Sequence, residues 1–214
     1  MDDGKANALS VEMIDALLAG LAKAESEAGA VVLIGREGKF CAGFDLRVMM
    51  SGPEQAKALL GRGSDLLMKL FGLPLPLVIA ASGHALAGGA LVVLTGDTRI
   101  GAQGAFKIGL NEVAIGLPVP LLAMEFARAR LTPAELTKAT LQAQIYAPDD
   151  AVRAGYLDAV VAADQLRTTA LAEANRLAGL ARSAYKATKL RLRGVVIADI
   201  RARMEEDMRT LMNP

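Results

Sequence analysis

Leu77-Val78-Ile79-Ala80-Ala81-Ser82-Gly83-His84-Ala85-Leu86-Ala87-Gly88-Gly89-Ala90-Leu91-Val92-Val93-Leu94 is the stretch that decides the fold of this chain. It lies within 27 residues, Leu70 to Gly96, that carry no formal charge, between Lys69 and Asp97. By length such a run can span a bilayer. Pro74, Pro76, Ser82, His84 and the glycines at 83, 88 and 89 would break a lipid-facing helix, so a membrane span is not the expected reading. Leu77 to Ser82 is a continuous apolar run suited to a strand buried on both faces. Gly88-Gly89 then introduces a short apolar helix, Ala90 to Leu94.

The same alternation extends outward. Ser10 is placed to cap a helix carrying Val11, Ile14, Leu17, Leu18 and Leu21 on one face. Ala30-Val31-Val32-Leu33-Ile34, bounded by Gly35 and Gly38, predicts a strand buried on both faces. Pro53 to Leu70 is helical in pattern, and Thr98-Arg99-Ile100 predicts another strand. Thr132-Pro133-Ala134-Glu135 combines an N-cap, a first-turn proline and a capping-box glutamate. Pro148-Asp149-Asp150 opens a helix that Gly155 ends, before the strand-like Leu157 to Val161. From Asp164 the pattern is helical to the end, with interruptions expected near Ser183 and Gly194. Alternating β and α units followed by helices predict an α/β core with a helical tail.

Composition excludes several functions. The 214 residues are 53% hydrophobic and 22% charged, as in a folded globular chain. Lysine plus arginine is 24 against 23 acidic residues, so no basic excess advertises a nucleic-acid binder. The single cysteine, Cys41, cannot form an internal disulfide, which points to a reducing, cytoplasmic compartment. The opening Met1-Asp2-Asp3-Gly4-Lys5 is not a secretion signal.

Two glycine-bearing segments follow strands directly: Phe40 to Leu46, and Gly83 to Gly89. Parallel α/β sheets place ligands at the carboxyl ends of their strands, where glycine allows peptide N–H groups to approach a ligand closely. A helix starting at Gly89 would aim its positive end the same way. Two such loops could supply two N–H donors to one oxyanion; without further context, glycine-rich segments are more often plain turns.

Phe40 to Leu46, Gly83 to Gly89, and Ile108-Gly109-Leu110-Asn111-Glu112 through Ile115-Gly116-Leu117 resemble the crotonase (enoyl-CoA hydratase/isomerase) superfamily. The resemblance runs from Asn7-Ala8-Leu9 to Asp158-Ala159-Val160-Val161. It implies a spiral of ββα repeats over residues 1–161 and a C-terminal helical region, 162–214, used for trimerisation. It also implies an acyl-CoA thioester substrate, with coenzyme A as part of the substrate, no further cofactor and no metal. The backbone N–H groups of Phe44 and Gly88 would form the oxyanion hole, each such donor being worth about 3–4 kcal/mol to a transition state. Ala42, Gly43, Phe44, Asp45 and Leu46 would border the CoA moiety, with Gly88 and Leu91 also contacting substrate. The assembly implied is a homotrimer or a dimer of trimers.

Hydratases of this superfamily use two glutamates. The first maps to Leu91, which transfers no proton, and the second to Glu112. The segment Pro118-Val119-Pro120-Leu121-Leu122 also replaces a Gly-Gly-Thr-Gln-Arg type segment. One carboxylate suits a 1,3-proton shift, so the resemblance is greatest to Δ3,Δ2-enoyl-CoA isomerases. Dienoyl-CoA isomerases resemble the chain less, since their extra aspartate falls at about Pro120. Enoyl-CoA hydration, other thioester chemistry and a non-catalytic CoA-binding paralogue are the alternatives.

Other residues have two readings. His84 is a packing residue or a catalyst. Cys41 reads as core-lining, because no histidine–acid partnership can be read beside it. Met49, Met50, Met68 and Leu91 line an acyl pocket or fill core. Arg182, Lys186, Lys189, Arg191 and Arg193 form a solvated helix face or attract CoA phosphates. The family's usual first β-hairpin is mostly absent before Asn7, from truncation, a late start or because order begins there; exposed strand edge is the expected consequence.

Overall fold

The computed structural model describes residues 1–212, and two parallel sheets organise them. In chain order the elements are α1 (Val11–Glu27), β1 (Val31–Ile34), β2 (Gly38–Cys41), α2 (Leu46–Met49) and α3 (Pro53–Phe71). There follow β3 (Leu77–Ala81), β4 (Gly83–Leu86), α4 (Gly88–Thr95), β5 (Thr98–Ala102) and β6 (Ile108–Gly109). The remainder is α5 (Leu121–Arg130), α6 (Pro133–Thr140), α7 (Pro148–Ala154), β7 (Ala159–Val161), α8 (Leu166–Ala178) and α9 (Arg182–Met212).

Odd-numbered strands pair as β1-β3-β5-β7, and even-numbered strands as β2-β4-β6. Each strand pair therefore steps from the first sheet to the second, giving the ββα repeat that the resemblance implies. Along β3 the side chains alternate, as a period of two requires. Leu77, Ile79 and Ala81 enter the main core, while Val78 and Ala80 join Leu166, Ala170 and Ala174 of α8. The uncharged run is thus β3, β4 and α4 in succession. No helix among the described residues is long and apolar enough to cross a membrane.

Ser10 caps α1 by accepting the Met13 N–H at 3.2 Å, and Gly155 ends α7 with φ +94°. Other expectations are corrected. β1 lies at the edge of its sheet and is only half-buried, in contrast to the wholly buried β3. Thr132 precedes α6 but its side chain makes no capping bond; Glu135 instead accepts from Lys138 and the Tyr146 hydroxyl. The helical tail breaks at residues 179–181, close to Ser183 as expected, but α9 then runs unbroken through Gly194, against the second interruption expected there. β2, β4 and β6 are two to four residues long, and their pairing, rather than any local apolar run, makes them strands.

The basic cluster on α9 is neither wholly solvated nor free for phosphate. Lys189 and Arg193 are buried and reach Asp97, the first charge after the uncharged run, at 2.6 and 2.7 Å. Lys189 also donates to the Leu75 carbonyl at 3.1 Å, and Arg193 to that of Phe71 at 2.6 Å. The Arg193 guanidinium lies 4.4 Å from the Phe71 ring centroid. Asp97 additionally accepts the Leu77 N–H at 2.8 Å, so one carboxylate ties α9 to the start of β3. Removing one partner from such a buried group leaves uncompensated charge. Asp97→Ala is expected to lower stability by about 3–5 kcal/mol in urea or thermal unfolding. Arg153→Ala, which removes an exposed pair with Asp150 on α7, should change it by under about 1 kcal/mol.

Candidate active site

Three adjacent parallel strands, β2, β4 and β6, each release the chain into a segment that bears candidate residues. All three segments therefore leave the same end of one small sheet. Parallel α/β folds bind ligands at this end because backbone N–H groups and helix starts converge there.

After β2 the chain passes through Ala42 to Asp45. Gly43 has φ +93°, and a β-carbon built on it would lie 3.1 Å from the Leu86 carbonyl oxygen and 3.3 Å from the Gly88 nitrogen. The first loop consequently rests directly on the second. A brace from the N-terminal segment holds it: the Leu9 N–H donates to Gly43 at 2.8 Å, and the Asp45 N–H donates to Leu9 at 3.3 Å. Asn7, buried and at φ +54°, donates from Nδ2 to the carbonyls of Lys39 and Phe40. Asp45 caps α2 by accepting the Arg47 N–H at 2.9 Å, and the Arg47 guanidinium holds its carboxyl below the usual carboxylate range.

After β4, Ala87 adopts φ +48° and ψ −122°, a conformation L-residues rarely take and one costing about 1–3 kcal/mol. Its N–H donates to Gly109 at 3.1 Å, which links the second loop to the third strand. Ala87 turns the chain into α4, and a β-carbon on Gly89 would overlap the Cys41 carbonyl. Among the described residues, the N–H groups of Phe44 and Gly88 have no hydrogen-bond acceptor, whereas those of Ala42 and Asp45 are engaged. Gly88 is the first residue of α4, where an N–H has no intrahelical partner.

After β6 comes Glu112. It is 8% exposed, and its Oε2 has no hydrogen-bond partner among the described residues. Burial pushes its carboxyl above the ordinary glutamate value, against weaker opposing contacts from the backbone N–H groups of Glu112 and Asn111. Asn111 Oδ1 and the Tyr156 hydroxyl are also buried without a hydrogen-bond partner, as are Ser82 Oγ, Glu25 Oε1 and Arg36 Nε elsewhere among the described residues. Burial also pushes the Tyr156 phenol up, with the Leu110 N–H opposing and the Tyr146 and Glu112 charges adding to the rise. Tyr156 carries no pattern in the sequence beyond following a helix-ending glycine.

Leu91 is 4% exposed and, with Phe44, lines a cavity of about 40 Å³. Of the residues read as alternative pocket or core, only Leu91 reaches this cavity; Met68 is core, Met49 packs against core and Met50 is 83% exposed. The methionines on the cavity wall are Met204 and Met208 of α9, which the sequence reading did not single out. Ala42 and Leu46 are exposed beside the loop. His84 is exposed on β4, accepts the Lys107 N–H at 3.1 Å and stands edge-on to Phe106, a packing arrangement. Burial pushes the Cys41 thiol up to about 12, so it is a neutral core group.

The family model described as enoyl-CoA hydratase/isomerase matches residues 1–211. The chain belongs to the enoyl-CoA hydratase/isomerase family. It is 28% identical over 212 residues to human mitochondrial enoyl-CoA delta isomerase 1, covering 97% of this chain and 70% of that one. It is 35% identical over 116 residues to a Bacillus subtilis protein named as a probable enoyl-CoA hydratase, covering 52% of this chain and 45% of that one. A solved enoyl-CoA hydratase/isomerase family protein from Pseudomonas syringae superposes with TM-score 0.94 at 38% identity, over 98% of this chain and 91% of the other. The crotonase α/β fold follows from this likeness.

A buried, unpaired carboxylate has a thermodynamic signature. Glu112 has a raised folded-state pKa, so between about pH 4.5, the unfolded value, and that higher value the folded state keeps a proton that the unfolded state has lost. Stability therefore falls as pH rises across this window. Glu112→Gln removes the carboxyl, so it should raise the melting temperature relative to the parent above the window. The difference should vanish near about pH 4. A pH series of thermal unfolding on both proteins checks this.

Proposed function

We propose that the chain is an acyl-CoA isomerase that moves the double bond of a 3-enoyl-CoA to give the 2-enoyl-CoA. The observation that carries this reading is one buried carboxylate, Glu112, whose Oε2 has no hydrogen-bond partner among the described residues, with an aliphatic residue, Leu91, where a hydratase of the resemblance has its other glutamate.

In this mechanism Glu112 takes a proton from C2 of the bound thioester. The C2–H electron pair forms a C1–C2 double bond as the carbonyl π pair moves onto the thioester oxygen, giving a dienolate conjugated with the C3–C4 double bond. The N–H groups of Phe44 and Gly88 hold the developing oxyanion, and neither has a competing acceptor among the described residues. Glu112 then returns the proton to C4, which leaves the double bond between C2 and C3. Atoms balance without water, and Leu91 helps to keep water out. A carboxyl lifted above its usual range is better matched to such transfer than an ordinary one. Ala42 to Leu46, with Gly88 and Leu91, border the substrate in this reading, and the assembly is a homotrimer or a dimer of trimers. The relatives named as enoyl-CoA hydratases favour the alternative reading, water addition to a 2-enoyl-CoA.

Turnover of 3-enoyl-CoA and hydration of 2-enoyl-CoA, measured side by side across short and long chains, test the reading. Isomerisation should dominate, and Glu112→Gln should reduce it by about 10²–10⁴-fold. Unchanged turnover in that variant, or dominant hydration, contradicts the proposal. Because the base must be ionised, kcat/KM should rise with pH, with its midpoint above the ordinary glutamate range.

A further inference from the structure

Helix α3 carries two glycines in its interior, Gly61 and Gly63, where glycine is disfavoured. The two differ in surroundings. A β-carbon on Gly61 would meet open space, but one on Gly63 would overlap the Phe44 ring and lie 2.6 Å from its Cζ. The opposite edge of that ring faces Gly88, where a β-carbon would stand 3.2 Å from both Cδ2 and Cε2. One aromatic ring is thus wedged between two glycine α-carbons, one on α3 and the other at the start of α4.

The wedge matters because of what precedes it. Gly43 has no β-carbon, so rotation about its own bonds is cheap, and the peptide that carries the Phe44 N–H needs restraint from elsewhere. The Leu9 brace holds the Gly43 carbonyl and the Asp45 N–H. The ring adds a further contact beyond these bonds and the packing of Gly43 on Leu86 and Ala87, and it touches the residue that bears the second free N–H. We propose that Gly63 is a positioning residue: its missing side chain admits the Phe44 ring between α3 and Gly88, and the ring sets the spacing of the Phe44 and Gly88 N–H groups. This rests on the reading of that pair as donors to a thioester oxygen. A methyl group at position 63 would push the ring toward Gly88 or out of the notch, and the 43–44 peptide would turn with it.

The test compares Gly63→Ala, Phe44→Ala and the double variant Gly63→Ala/Phe44→Leu with the parent. Two readouts are used: 3-enoyl-CoA isomerisation, and the infrared stretch of the thioester carbonyl of bound trans-2-hexenoyl-CoA, isotopically labelled at that carbon. Hydrogen bonds from two donors lower the stretch whether or not turnover occurs, so this readout does not depend on the assigned reaction. Gly63→Ala and Phe44→Ala should each lose about tenfold to hundredfold in kcat with KM little changed, and should lose part of the carbonyl shift. Alanine ordinarily stabilises a helix interior, so a native melting temperature in Gly63→Ala separates misplacement from unfolding. The double variant, in which a smaller side chain vacates the notch, should recover both readouts in part. Parent-like kcat and shift in Gly63→Ala would overturn the proposal. So would a double variant no better than the single one, or a parent that does not shift the carbonyl. Glu112→Gln, run alongside, separates the two claims: its shift should persist while turnover falls, and retained turnover there refutes the isomerase reading alone.

Discussion

The approach of β2 to β4 without intervening side chains is the constraint on which the site depends. A β-carbon on Gly83 would overlap the Gly38 carbonyl, and one on Gly89 would overlap that of Cys41. Backbones this close leave the loops after the two strands in contact, with the Gly43 and Gly88 peptides adjacent. β6 completes the sheet beside β4 and brings Glu112 to the same end. The glycines that would ruin a lipid-facing helix are what permit this contact. The strained turn at Ala87 persists because the Ala87 N–H bond to Gly109 and the first α4 bond, from Leu91 to the Ala87 carbonyl, both fix it.

A second tie secures the far end of the chain. Asp97 terminates the uncharged run and gathers Lys189, Arg193 and the Leu77 N–H at one buried carboxylate. Burial pulls Lys189 below its ordinary value and Asp97 opposes that pull, so the pair is held by geometry and by additional carbonyl bonds as much as by charge. This pinning lets α9 run through Gly194 without a break and brings Met204 and Met208 onto the cavity wall beside Leu91. The Asp207 carboxylate, near the end of α9, accepts the Leu121 N–H at 2.9 Å and fastens that wall to α5.

Much of the fold was legible because its signals are local. The apolar run at 77–81, the Ser10 cap and the Gly155 stop each act within a few residues. The second sheet was not legible from pattern alone. Its strands are short, contain glycine and gain their identity from partners about 23 to 45 positions away. The same limit explains the misread basic cluster. Nothing near Lys189 and Arg193 announces Asp97, 92 positions away in the case of Lys189. At the candidate site, Phe44, Gly88, Leu91 and Glu112 are proposed through a family resemblance and the arrangement of loops after strands. Tyr156, Gly63 and the α9 methionines are not legible in this way, because each acquires meaning only from a neighbour remote in sequence.

The central claim is that one buried carboxylate moves a proton along the acyl chain and no water is added. A 3-enoyl-CoA deuterated at C2, turned over in ordinary water and analysed by mass spectrometry, examines that step directly. The account predicts 2-enoyl-CoA with part of the deuterium carried to C4, since Glu112 is buried and Leu91 restricts water. A 3-hydroxyacyl-CoA as the main product, or substrate recovered unchanged, would contradict it.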